Sequence, residues 1–197
     1  MLFKRNLIGA DAPVGIRTGT LNVQGKVTAG EFQKIYQTTL AAAATSVTIS
    51  GLDGNTDVLY EVRARVITGA GGGGNEQVRP NNDAVDGNYG YQTLTGTNTT
   101  VGAARSTLTG MIFADGNSAG DVSFATMLLY AKSGYVRTSI TQATNRIAAT
   151  TVTNIKLIGN SWNNTADNIT SIVIPTAAAN GLGIGTVIEL WALRKKV

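Results

Sequence analysis

The chain has 197 residues, 43% of them hydrophobic and only 14% charged, with a formal net charge of +4. It contains neither cysteine nor histidine, which excludes a disulfide framework, Cys/His zinc sites, Cys–His nucleophiles and a Ser-His-Asp triad. The apolar content excludes a disordered chain, and a charge fraction below the roughly 25% of ordinary soluble domains suits a surface partly covered by neighbours.

Residues 1–35 read as an extended N-terminal arm. Gly9, Gly15, Gly19, Gly25 and Gly30 interrupt every apolar run there, and glycine-punctuated segments rarely build long helices. One short helix is expected near Glu31 to Ile35; the alternative is that this segment supplies the first strands of the sandwich. Met1-Leu2-Phe3-Lys4-Arg5 is not followed by an apolar stretch, so no secretory signal is predicted. No run approaches the roughly 18 apolar residues of a membrane helix.

Residues 36–197 read as one antiparallel β-sandwich. Ser46 to Ser50 alternates apolar and polar residues and ends in the turn signature Leu52-Asp53-Gly54-Asn55. In Val58 to Ile67, Tyr60, Val62, Ala64 and Val66 fall on one face, with Glu61, Arg63 and Arg65 on the other. That is a half-buried antiparallel strand. Gly69 to Gly74 reads as a loop. Further strands are predicted over Tyr89 to Leu94, Ser106 to Phe113, Val122 to Ala131, Tyr135 to Thr141, Arg146 to Ile158, Ile169 to Ile174 and Thr186 to Leu193. Turns are expected at Asp115-Gly116-Asn117, Ser133-Gly134 and Gly181 to Gly185. Short strands at turn-marked spacing specify a sandwich or barrel. Ala41 to Ala44 has helical propensity, but its β-forming flanks predict an extended course.

Several motifs resemble sites. Gly116-Asn117-Ser118-Ala119-Gly120 matches a nucleophile elbow, but Ser118 has no histidine to act as base and a strand follows it. Gly69 to Gly74 satisfies a dinucleotide fingerprint with no helix after it. Asp53 to Asp57 begins like a calcium loop, but Val58 and Ala64 replace its glycine and its glutamate. Asp83 and Asp86, beside Asn81 and Asn82, read as turn residues accepting backbone amides or as a cation site. Glu61, Glu76 and Glu189 make a catalytic pair only if folding brings two of them to glycosidase spacing; a solvated position or a cross-strand ion pair is the expected role of Glu61 and Glu189. Tyr89, Tyr91, Tyr130 and Tyr135 offer either core packing or glycan-stacking faces. In Ile188 to Leu193, the residues Ile188, Leu190 and Ala192 are assigned to the core and Trp191 to the outer face. The basic residues form no stripe with aromatics, so no nucleic-acid partner is expected.

A series of pieces then comes in a characteristic order: Gly51 to Asn55, Tyr60 to Ile67, Arg79 to Asn82, Asn88-Tyr89-Gly90, Ser133-Gly134, Trp162 to Thr165, Ile169 to Ile172 and Gly183 to Trp191. From about Tyr36 to Leu193 the chain resembles a group of tailed-bacteriophage virion proteins with a jelly-roll or sandwich domain. The resemblance implies an all-β, non-enzymatic capsid decoration, head-fibre or tail-associated protein. It implies no catalytic residue, metal or cofactor. The expectations are a decoration or cement protein on the outer capsid surface, made in the bacterial cytoplasm, with the major capsid protein and itself, as a homotrimer, for partners. A tail, baseplate or receptor-binding protein, a carbohydrate-binding module and a glycosidase are the alternatives.

Overall fold

The computed structural model describes residues 30–116, 118–148 and 151–195. Residues 1–29 of the expected arm lie outside them, as does Asn117 of the expected turn. The described chain is nearly all strand: β1 (Gly30–Thr39), β2 (Ser46–Ser50), a single helical turn α1 (Gly54–Asp57), β3 (Leu59–Ile67), β4 (Asn75–Pro80), β5 (Tyr89–Thr97), β6 (Thr100–Leu108), β7 (Met111–Asp115), β8 (Val122–Tyr130), β9 (Arg137–Ala148), β10 (Thr151–Trp162), β11 (Ser171–Pro175) and β12 (Val187–Lys195). An eight-stranded sheet runs β1-β12-β3-β8-β9-β10-β5-β6, and a four-stranded sheet runs β2-β11-β4-β7. Every pairing is antiparallel.

Period-two patterning builds the core. β2 buries Val47 and Ile49, β3 buries Tyr60, Val62, Ala64 and Val66, and β12 buries Ile188, Leu190 and Ala192. Met111, Phe113, Ile172 and Ile174 of the small sheet join Met127, Leu129 and Trp162 of the large one in a single cluster. Each large side chain so buried stabilises the sandwich by about 1.5–3 kcal/mol.

Residues 31–35 are strand rather than helix. Phe32, Ile35 and Tyr36 are partly buried, and β1 pairs with β12 from Gly30↔Lys195 to Thr39↔Val187 around a bulge between Lys34 and Tyr36. A ten-residue strand paired along its length outweighs one turn of helix, so residues 30–35 belong to the sandwich rather than to an arm. The loop over residues 69–74 lies against residues 178–181. A Cβ on Gly69 or Gly71 would stand 2.0 Å from the carbonyl oxygen of Asn180 or Ala179, so only glycine allows this approach.

The small sheet ends at β7, whose outer backbone groups are met by side chains of the large sheet. Asn160 accepts from the Ile112 N–H at 2.9 Å and donates to its carbonyl at 3.2 Å. Asn145 donates to the Asp115 carbonyl at 2.6 Å. Polar residues thus point inward on β9 and β10 because they complete an edge strand, as buried backbone groups require.

A knot of aromatic and charged groups closes the sandwich near Trp162. Tyr89 stacks on Trp162 with ring centroids 6.2 Å apart. Arg137, fully buried, lies with its guanidinium 5.2 Å from the ring centre of Trp162 and donates to the carbonyls of Asn164 and Asp167. The Trp162 indole N–H donates to Asp83 at 2.7 Å, and Asp83 also accepts from the Val85 amide at 3.0 Å and from Asn88 at 2.9 Å.

Candidate interaction surface

The outer face of the eight-stranded sheet has no layer over it among the described residues. Its cross-strand rows follow from the register. One row runs Arg65, Phe124, Thr144, Ile155, Gly96, Val101; the next runs Arg63, Thr126, Gln142, Leu157, Leu94, Ala103. Past the two arginines of β3, neither row contains a charge. Phe124 is 56% exposed, Ile155 59% and Val101 71%, with Leu94 and Leu157 about half exposed beside them. Leu128 and Ile140, paired in register, extend the apolar field into a third row.

The field is grooved because Gly96 sits between Ile155 and Val101 and leaves a notch. The groove has a volume of about 520 Å³ and is lined chiefly by Leu94, Val101, Phe124, Ile155 and Leu157. A second hollow of about 610 Å³, polar, opens beside it over Gly90 and Gly159, with Tyr91, Gln92 and Arg105 at its walls. The field reaches β6, whose nine residues are exposed almost throughout. Such an edge presents unpaired backbone groups to a partner. The opposite edge, β1, is protected by its bulge and by Glu31 and Lys34.

The other half of this face is charged. Trp191 lies between Lys34 and Arg63, whose cationic ends stand 5.6 and 4.8 Å from the ring centre. Arg63 donates twice to Glu61, at 2.9 and 2.8 Å. Glu189 accepts from Trp191 at 3.1 Å and pairs with Lys34 at 3.3 Å. These donors, Trp191 first, hold Glu189 below the ordinary glutamate range. Glu61 and Glu189 are therefore brought to one face but occupied by cations on an open sheet, and Trp191 stands on the outer face as expected from its strand.

The remaining candidates separate. Ser118 sits in an exposed loop ahead of a strand, with its amide bonded to Asp121 at 2.9 Å. Asp53 caps α1, accepting from the amides of Asn55 and Thr56, the Thr56 hydroxyl and Asn168. Those donors, Thr56 foremost, hold its carboxyl low and fill its acceptor positions. Tyr89 is core, Tyr130 and Tyr135 meet edge to face at 6.1 Å, and Tyr91 alone of the four lines a hollow.

Glu76 does not join the other glutamates. It faces inward from β4, is fully buried, and neither carboxylate oxygen has a hydrogen-bond partner. Burial pushes its carboxyl up to about 7, assisted by Asp115 and opposed by Lys156. A raised acid binds a proton in the folded chain that the unfolded chain has already released. The contribution of Glu76 to stability is therefore fully present below the ordinary glutamate value of 4.5 and is lost as pH rises toward 7. Urea unfolding in chelator is expected to show a loss of at most about 3 kcal/mol across that window, flattened in Glu76→Gln. Equal pH slopes in both proteins contradict this.

The apolar field was visible in part from sequence. Met127-Leu128-Leu129-Tyr130 and Ile155-Lys156-Leu157-Ile158 are near-continuous apolar runs. A two-layer antiparallel sandwich needs only one apolar face, so such runs mark strands with both faces apolar. Comparison with family models, curated proteins and solved structures finds no match for this chain.

Proposed function

We propose that this chain is a non-enzymatic structural protein of a tailed-bacteriophage particle, a capsid decoration protein that docks through the outer face of its eight-stranded sheet. The observation that carries the reading is the uncharged field from Phe124 to Val101, left open on a sandwich that already has a filled core. Contiguous apolar patches of several hundred Å² are rare on free monomers and mark protein-binding surfaces. The flanking Arg63 and Arg65 on one side and Arg105 on the other supply a polar rim, as interfaces have around an apolar centre. The low charge fraction and the ordered series of phage-like sequence pieces support the same reading. The major capsid protein is the proposed partner, and trimerisation of the chain around a capsid three-fold position is the proposed arrangement.

Deleting the coding sequence and heating the particles tests this. Particles without the chain are expected to release their DNA at a temperature lower by several degrees, with adsorption to cells intact. Loss of adsorption with unchanged heat resistance would instead assign the chain to the tail or baseplate.

A further inference from the structure

Away from the docking face, polar side chains from four strands, and Thr68 just past a fifth, surround the turn where β7 ends, at Asp115-Gly116. From β9, Asn145 donates to the Asp115 carbonyl at 2.6 Å, and Ser123 of β8 donates to the same oxygen. From β10, Asn154 and Lys156 donate to the Asp115 carboxylate at 3.3 and 2.7 Å. Thr68, just past β3, and Glu76 of β4 approach from the other side. A Cβ on Gly116 would stand 2.2 Å from Thr68 Oγ1 and 3.4 Å from Glu76 Oε1. The Thr68 side chain fills that space, so only glycine lets Thr68 and Glu76 come this close to the turn.

The groups around this turn are short of donors. Glu76 Oε1 and Oε2, Asn145 Oδ1, Asn154 Oδ1 and Thr68 Oγ1 are all buried and none has a hydrogen-bond partner. The first four can only accept when Glu76 is ionised. Lys156, whose ammonium reaches the turn, is engaged by Asp115. A proton on Glu76 supplies a single donor, whereas one cation serves several oxygens at once. Carboxylate and amide oxygens are the ligands of hard cations of the calcium class, and soft or imidazole-seeking metals want different ones.

We propose that Glu76, with Thr68, Asn145 and Asn154, holds a calcium-class cation inside the Asp115-Gly116 end of the sandwich, tying β4 to β9 and β10. Among the described residues no three acidic side chains group together, so the site relies on amide oxygens. Lys156 offsets the charge of Asp115, which leaves Glu76 as the uncompensated carboxylate. Few charges give weak binding, with a dissociation constant of about 10⁻⁴–10⁻³ M, the range of extracellular calcium modules.

The test is thermal unfolding of the full chain, freed of metal with EDTA and titrated with calcium chloride. Wild type is expected to gain several degrees in Tm, saturably, as a ligand of the folded state requires. Glu76→Gln, neutral and of the same shape, is expected not to respond. An unmoved wild type, or an equal rise in both proteins, overturns the site. If Glu76→Gln does not fold, Asn154→Asp decides. Its added carboxylate is expected to lower the calcium concentration at half-maximal shift about tenfold, and an unchanged midpoint overturns the proposal.

Discussion

Replacing Phe124 and Leu157 together by aspartate is expected to weaken binding to capsids that lack the chain by at least about 100-fold. The reasoning rests on position. Both side chains point out of the large sheet and line the same groove. Each large apolar group buried on docking contributes about 1.5–3 kcal/mol, and a carboxylate forced into an apolar contact adds its desolvation cost. Because both sites are about half exposed in the free chain, the Tm is expected to change by no more than about 2 °C. Val85→Asp, an exposed loop position away from the rows, serves as the control and is expected to bind as wild type. Co-sedimentation with capsids measures all three proteins. Full binding by the double variant contradicts the assignment of this face.

Arg137→Leu is expected to destabilise the chain by about 3–5 kcal/mol in urea unfolding. In the native chain a fully buried guanidinium sits against Trp162 and serves the carbonyls of Asn164 and Asp167, which anchor the segment leading to β11. Leucine fills part of the volume but leaves two carbonyls without donors, and an orphaned buried acceptor costs about 1–3 kcal/mol. Removing the guanidinium also takes the cation from the Trp162 ring, worth about 2 kcal/mol when desolvated. Arg137→Lys keeps the charge without the two-pronged reach and is expected to fall between the two. A loss below about 1 kcal/mol for Arg137→Leu shows that the knot is not structural in the way its geometry implies.

Most strands were legible in the sequence, but inward residues were legible only where one face is cleanly apolar. β2, β3 and β12 alternate in period two, and their inward residues are those the pattern assigned. β6 escaped because both its faces are exposed and its small residues, Gly102, Ala103 and Ala104, show no hydrophobic period. β4 escaped because Glu76, a polar residue, takes an inward position ahead of Val78. On β9 and β10 the inward Thr141, Asn145 and Asn160 break the alternation, since they serve the edge of β7 rather than the apolar core. Tertiary demand for backbone partners overrode the local pattern there.

The sites divide along the same line. Ion pairing of Glu61 and Glu189 followed from their places on polar strand faces. Nothing in the spacing of Glu76, Asn145 and Asn154 reveals their convergence on one turn, because the residues come from three strands in different parts of the chain. The apolar field needed the register: Phe124, Ile155 and Val101 become one row only when β8, β9, β10, β5 and β6 are paired in order.

The most direct test of the structural role is the number of copies of this chain in each purified particle, measured by quantitative mass spectrometry against the major capsid protein. The decoration reading predicts a ratio near one copy per capsid subunit. A chain absent from particles contradicts it outright, and a mere handful of copies would place the protein at the tail instead.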